Sequence, residues 1–119
     1  SNHLRTTSTT VIRPKKILII EGILILSDEN VRNILNHKIY IDADKKTREN
    51  RRVDRDLIER GRNKENTVKL FRELLHPMHK LHISPVKKYC DIVLDNNEID
   101  SACDKTIINF IKKKLSDEA

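Results

Sequence analysis

Between Arg48 and Arg62 the chain carries six arginines and no lysine, whereas all its other residues together supply fourteen lysines and four arginines. The centre of this bias is the stretch RRVDRDLIERGR, residues 51 to 62. On a helix Arg48, Arg52 and Arg55 are spaced i, i+4, i+7 and share one face. Arg60 and Arg62 bracket Gly61, where such a helix would stop, and a glycine there lets the chain turn so that both arginines point at one ligand. Two chemistries fit. One is a solvated helix stitched by ion pairs, Arg52 with Asp56 and Asp56 with Arg60, each contributing about a few tenths of a kcal/mol. Such pairs tolerate lysine, however, whereas planar bidentate contact with phosphate oxygens favours guanidinium. The arginine bias therefore points to a phosphate-clamping lid.

The elements that must position these arginines read as α/β. Residues 1 to 13, polar and threonine-rich, suit an extended exposed arm that ends at Pro14. The run ILIIEGILIL, from Ile17, is apolar on both alternating faces, as in a strand buried between helices, and is interrupted by Glu21 and Gly22. A carboxylate in a buried strand needs a reason; a satisfied polar residue at a strand bend is the plain one. Ser27 and Asp28 can cap a helix through about Asn36 with Val31, Ile34 and Leu35 inward, and KIYID at 38 to 42 makes a second strand. Residues 44 to 60 form the charged helix, in which only Val53, Leu57 and Ile58 could pack inward, so it should lie over the body as a lid. Asn63 caps the next helix, which carries Val68, Phe71, Leu74, Leu75 and Met78 at helical spacing and which Pro77 should kink or shorten. DIVL at 91 to 94 is a third strand. Residues 100 to 115 make an amphipathic last helix with Cys103, Ile107, Phe110, Ile111 and Leu115 inward. Three parallel strands with crossover helices suggest part of a larger doubly wound sheet.

Composition narrows the function. A net charge of +6 and a pI near 9.4 call for an anionic partner. Two cysteines, Cys90 and Cys103, make neither a disulfide framework nor a thiolate zinc site, which suits a reducing, cytoplasmic setting. No apolar run reaches the length of a membrane-spanning helix. His76, His79 and His82 could share a helix face as a surface metal site, but no carboxylate or thiolate nearby completes it. Lys87 and Lys88 either contact phosphate or form a solvated edge. The only glycines are Gly22 and Gly61, so the chain holds no glycine-rich phosphate loop of the GxxxxGK[ST] or GxGxxG kind.

The strings KKILIIEGILIL, IYIDADKKTRENRRVDRDLIERGR and SPVKKYCDIVL, in this order and spacing, resemble the second half of uridine kinases (uridine–cytidine kinases), which are P-loop kinases. The similarity runs from about His3 to the end. It implies that residues 1–119 are one partial domain, the carboxyl-terminal part of a doubly wound P-loop kinase fold, with residues 1–13 as a nucleoside-contacting arm and 44–62 as the lid. The implied activity is ATP- and Mg²⁺-dependent 5′-phosphorylation of uridine or cytidine in pyrimidine salvage, in the cytoplasm, by a homo-oligomer. By the same resemblance Glu21 would hold the water shell of the ATP-bound Mg²⁺, His3 would contact the nucleoside base, and Arg52 and Arg62 would contact the nucleoside. Arg55 and Arg60 would reach the ATP phosphates and act in catalysis.

The chain also departs from the family. Leu70 stands where a glutamine helps to read the base, and the loop DNNEIDSA replaces a Pro-Arg-Gly turn followed by Asp-Asn near the adenine, leaving Asp100 as the candidate for that aspartate. The phosphate loop and the aspartate expected as general base are not among these residues, so the chain by itself is expected to be inert. Two other readings stay open. One is a non-catalytic basic module for nucleotides or nucleic acid, against which stands the lack of a base-stacking platform: the aromatics are Tyr40, Phe71, Tyr89 and Phe110. The other is a P-loop kinase acting on a different hydroxyl substrate.

Overall fold

The computed structural model describes residues 4–98 and 100–117; His3 lies outside them. The order of elements is α1 (Glu29–Ile34), β1 (Ile39–Asp42), α2 (Lys45–Glu59), α3 (Lys64–Leu70), α4 (His76–Met78), β2 (Ile92–Asp95) and α5 (Ala102–Asp117). β1 and β2 pair in parallel, from Ile39 against Ile92 to Asp42 against Asp95. Everything from α2 to Tyr89 is the crossover between them, as parallel pairing requires. β1, β2, α2 and α5 thus stand within a residue or two of the positions their sequence patterns predict.

Local chemistry explains the boundaries. The Asp28 carboxylate accepts from the Asn30 N–H at 2.7 Å and starts α1. This helix ends at Ile34, short of the expected Asn36, because Leu35 turns extended and its N–H bonds back to the Arg32 carbonyl. Ile34 consequently faces solvent, whereas Val31 and Leu35 are half-buried. α2 stops before Gly61, which has φ of +62°, and Asn63 caps α3 by accepting from the Asn66 N–H at 2.8 Å. Around Pro77, which has no N–H to give, the backbone stays in helical dihedrals but opens into wide turns at Phe71–Leu75 and His79–Ile83. A 3₁₀ segment, Ser84–Tyr89, then leads to β2.

The core sits at one end of the two-stranded sheet, where Leu26, Tyr40 and Val86 are buried with Ile25, Leu35, Ile83 and Cys90 against them. On α5 the half-buried positions include Cys103, Ile107, Phe110, Ile111 and Leu115, the face its periodicity predicts, and the Phe110 ring meets His37 edge to face at 5.5 Å. No helix among the described residues is long and apolar enough to cross a membrane.

Two expectations need correction. The run from Ile17 to Leu24 forms no strand and its apolar side chains are largely exposed, Ile19 at 71% and Ile23 at 75%. A strand apolar on both faces is stable only with a neighbour for its backbone groups and a layer over each face; the described residues offer it neither. Only its end turns inward: Ser27 donates through N–H and Oγ to the Leu24 carbonyl, at 3.1 and 2.6 Å, placing Ile25 and Leu26 in the core. The second correction concerns α2, which buries Val53 but leaves Leu57 and Ile58 exposed; its other buried residues are Glu49 and Asp56. Residues i, i+4 and i+7 face the body, and two of the three are carboxylates.

A Cβ at position 61 would meet no atom within 4 Å, so the glycine is there for its backbone angle alone. Gly61→Ala is expected to destabilise the protein by about 1 to 2 kcal/mol, the cost of a left-handed conformation for an L-residue, measured by denaturant unfolding.

Candidate functional site: an arginine cluster on a buried carboxylate

The lid arginines are organised by Asp56, whose side chain is fully buried. Its Oδ2 accepts from Arg52 Nε at 3.0 Å, from Arg62 Nη1 at 3.5 Å and from the buried Thr67 Oγ1 at 3.5 Å. Arg60 Nη1 and Arg55 Nε approach Oδ1 at 3.6 and 3.9 Å, and Oδ1 itself accepts no hydrogen bond. The main chain repeats the pattern, since the Asp56 carbonyl takes the N–H of Arg60 at 3.2 Å and, after the reversal at Gly61, that of Arg62 at 3.0 Å. The structure therefore brings together Arg52, Arg55, Arg60 and Arg62, the four arginines to which the family resemblance gives roles, while Arg48, expected on one face with Arg52 and Arg55, stands apart from them. Three of them keep side chains about 45% exposed, namely Arg55, Arg60 and Arg62, and Arg52 is held closer in.

The other two arginines serve the beginning of the lid. Arg48 Nε donates to the Ala43 carbonyl at 3.1 Å and its Nη2 lies 3.4 Å from His76 Nδ1. Arg51 donates to the Asn97 carbonyl at 3.0 Å, and the Asn97 side chain in turn accepts from the Asp44 N–H at 2.7 Å. The DNNE loop is thereby fixed to the start of α2. One turn further along, the buried Glu49 takes both Nε and Nη2 of Arg72, at 3.2 and 3.1 Å, which ties α2 to the segment after α3.

The remaining candidates lie apart from this cluster. Asp100 accepts from the Ala102 N–H at 2.9 Å and so caps α5. Glu21, expected at the end of a buried strand, is exposed on the irregular segment because that strand is not formed. Lys87 is engaged by Asp42 at 2.8 Å, and Leu70 is half-buried at the end of α3. His76 and His79 stack at 6.4 Å, but among the described residues no group of three His, Cys, Asp or Glu is placed to hold a metal ion. The sequence reading treated Asp56 as one partner in surface ion pairs and missed both its burial and Thr67. The signal was present: a single aspartate with arginines at −4, −1, +4 and +6, followed by a capped helix start.

The electrostatics follow from this geometry. Burial pushes the Asp56 carboxyl up, but the Arg52 hydrogen bond and the charges of Arg52, Arg60 and Arg62 outweigh it and hold the group below the usual carboxylate range. Arg72 does the same for Glu49, through its hydrogen bond against opposing burial. Burial, with Lys45 and Arg48 nearby, lowers His76. For both carboxylates the folded pKa lies below the unfolded one, so the unfolded chain binds more protons in acid. Their contribution is complete above the ordinary carboxylate pKa of about 4 and is lost as pH falls through the depressed folded value. Stability measured by chemical unfolding should therefore drop steeply below about pH 4, and Asp56→Asn should flatten that slope while lowering stability at neutral pH.

Comparison with known proteins bears on what such a cluster serves. The model of the phosphoribulokinase / uridine kinase family matches residues 1–101. The chain is 39% identical over 115 residues to a uridine kinase of Clostridium perfringens, covering 97% of this chain and 55% of that protein. It is 42% identical over 94 residues to a uridine kinase of Macrococcus caseolyticus, covering 79% of this chain and 46% of that one. Uridine kinase-like protein 5 of Arabidopsis thaliana is 34% identical over 113 residues, 95% of this chain and 24% of its own. The chain spans about half the length of the bacterial relatives it matches. With a family model covering most of its residues, and the lid arginines gathered on one carboxylate, the chain belongs to the phosphoribulokinase / uridine kinase family.

Proposed function

We propose that this chain supplies the lid and part of the substrate side of a uridine kinase-like phosphotransferase, which moves the γ-phosphoryl group of ATP to the 5′-hydroxyl of uridine or cytidine. The observation that carries the reading is the convergence of Arg52, Arg55, Arg60 and Arg62 on Asp56 with three guanidiniums half-exposed. Phosphoryl transfer spreads negative charge over the equatorial oxygens of the moving group, and preorganised donors aimed at that charge lower the barrier. Neither the Arg55 nor the Arg60 guanidinium is within hydrogen-bond distance of the Asp56 carboxylate, so their side-chain donors are not committed to it by hydrogen bonds and are available to phosphate. The residues fit a polyphosphate.

In this reading Arg55 and Arg60 bind the ATP phosphates and stabilise the transition state, while Arg52 and Arg62, with His3, contact the nucleoside. Asp100 is assigned to the adenine side, where it would act from the start of α5. Magnesium fits less well: Glu21 is exposed and, among the described residues, no acidic group gathers around it. Its assignment to the water shell of the metal rests on the family resemblance, and no step here passes through the metal. The phosphate loop is supplied by a segment other than these residues, which by themselves do not turn over. A homo-oligomeric, cytoplasmic enzyme of pyrimidine salvage completes the proposal. Tyr40 and Phe71 are buried and Phe110 packs on His37, so of the four aromatics only Tyr89 is exposed, under the Arg32 guanidinium, and one ring makes no stacking platform for a nucleic acid.

The test is ATP-dependent phosphorylation of uridine and cytidine by the full-length protein, beside the 119-residue chain and single arginine variants. Arg55→Ala and Arg60→Ala are each expected to lower kcat by about 10²- to 10³-fold, the usual effect of removing a transition-state donor. Arg52→Ala and Arg62→Ala should chiefly raise KM for the nucleoside. A full-length protein without nucleoside-dependent turnover overturns the reading.

A further inference from the structure

The two oxygens of Asp56 divide the four arginines into pairs. Oδ2 is the hydrogen-bonded side, taking Arg52 at 3.0 Å, Arg62 at 3.5 Å and Thr67 at 3.5 Å. Oδ1 is buried and accepts no hydrogen bond, with Arg60 and Arg55 at 3.6 and 3.9 Å. The division coincides with the roles proposed above: the Oδ2 pair belongs to the nucleoside and the Oδ1 pair to the phosphates. We propose that Asp56 is a positioning residue that couples the two substrate sites, holding Arg52 and Arg62 through Oδ2 and yielding Arg55 and Arg60 from Oδ1 to incoming phosphate oxygens. This rests on the uridine kinase-like reading of the site.

The physical argument begins with competition. Carboxylate and phosphate oxygens are the same kind of acceptor for a guanidinium, and a charge-assisted hydrogen bond closes to about 2.7 to 2.9 Å. Arg55 and Arg60 have no such bond to Oδ1 and are about 45% exposed, so leaving Asp56 gives up coulombic attraction but breaks no hydrogen bond. Their departure has a consequence on the other oxygen. A fully buried carboxylate must be neutralised, and with two cations drawn away the same charge acts on Arg52 and Arg62 alone. Thr67, also fully buried, keeps the carboxylate from following the departing arginines. The nucleoside-contacting pair is then held more firmly, which favours nucleoside binding, and by linkage nucleoside favours nucleotide by the same factor.

The experiment is calorimetric titration of uridine into the full-length protein, with and without saturating ADP, for the wild type and Asp56→Asn. ADP is expected to raise uridine affinity at least about fivefold in the wild type, whereas in Asp56→Asn, whatever its affinity for each ligand alone, the factor falls to about one. A factor that survives Asp56→Asn overturns the proposal, because a residue serving folding alone would leave it unchanged. A wild type that binds both ligands without coupling overturns it as well and leaves the kinase reading standing; one that binds neither overturns both. A measurement on the wild type covers the case in which Asp56→Asn does not fold. In ¹⁵N–¹H spectra of the arginine Nε–H groups, ADP should shift Arg55 and Arg60 and leave Arg52 in its hydrogen bond. Loss of the Arg52 bond, or no movement of Arg55 and Arg60, overturns the coupling.

Discussion

A carboxylate removed from water is tolerated only if positive charge and hydrogen bonds accompany it, and that requirement at Asp56 shapes the whole lid. To meet it the chain must bring Arg52 from one turn earlier, reverse after Arg60 so that Arg62 returns, and set Thr67 of the next helix against the same oxygen. The turn at Gly61 and the packing of α2 on α3 are thus parts of one electrostatic solution. Glu49 repeats it two turns away with Arg72, and Val53 lies between the two carboxylates. The buried stripe of α2 is acid, apolar, acid. A helix with so little apolar surface can therefore dock without a conventional hydrophobic face, and three of the guanidiniums around Asp56 keep much of their hydration because their side chains stay half-exposed.

This arrangement also decides what the sequence could reveal. Signals that act over a few residues were legible: the caps at Asp28 and Asn63, the stop at Gly61, the short strands at 39–42 and 92–95, and the inward face of α5. The grouping of the arginines was legible in part: spacing and one glycine put Arg52, Arg55, Arg60 and Arg62 within reach of one another, but spacing also placed Arg48 with them, and its side chain turns to Ala43 and His76 instead. The burial of Asp56 was not legible, since rules based on apolar periodicity assign the inner face of α2 to Val53, Leu57 and Ile58 and place every acid outside. Deciding which charges go inward requires knowing which cations meet them, and Thr67 and Arg72 come from elements beyond the helix. The Asn97 contacts at the start of α2 were hidden for the same reason, because Asp44 and Asn97 are brought together only by the strand pairing.

The segment from Ile17 to Leu24 shows the converse case. Apolar alternation states what a residue tolerates, whereas a strand also requires a partner that accepts its backbone hydrogen bonds. β1 and β2 find each other through a crossover contained in the chain, and so they pair. The Ile17–Leu24 run has matching composition but no partner among the described residues, and Glu21 shares its fate. A metal role for Glu21 is therefore a statement about a sheet larger than the two strands seen here, while the arginine cluster depends only on contacts between residues 52 and 67.

The preference for arginine over lysine has a cause within the fold itself. Four ammonium groups around one buried carboxylate would each surrender a tightly held hydration shell, and each is a point charge that competes for the same approach. Guanidinium is more weakly hydrated and planar, with donors spread over three nitrogens. One edge can face Asp56 while another faces solvent or a ligand, as the mixture of Nε and Nη1 contacts shows. Lysine would retain the charge of the lid and lose this division of labour. It follows that Arg52, Arg55, Arg60 and Arg62 answer two demands at once, neutralising an internal anion and presenting donors outward, and only a side chain with two usable edges meets both.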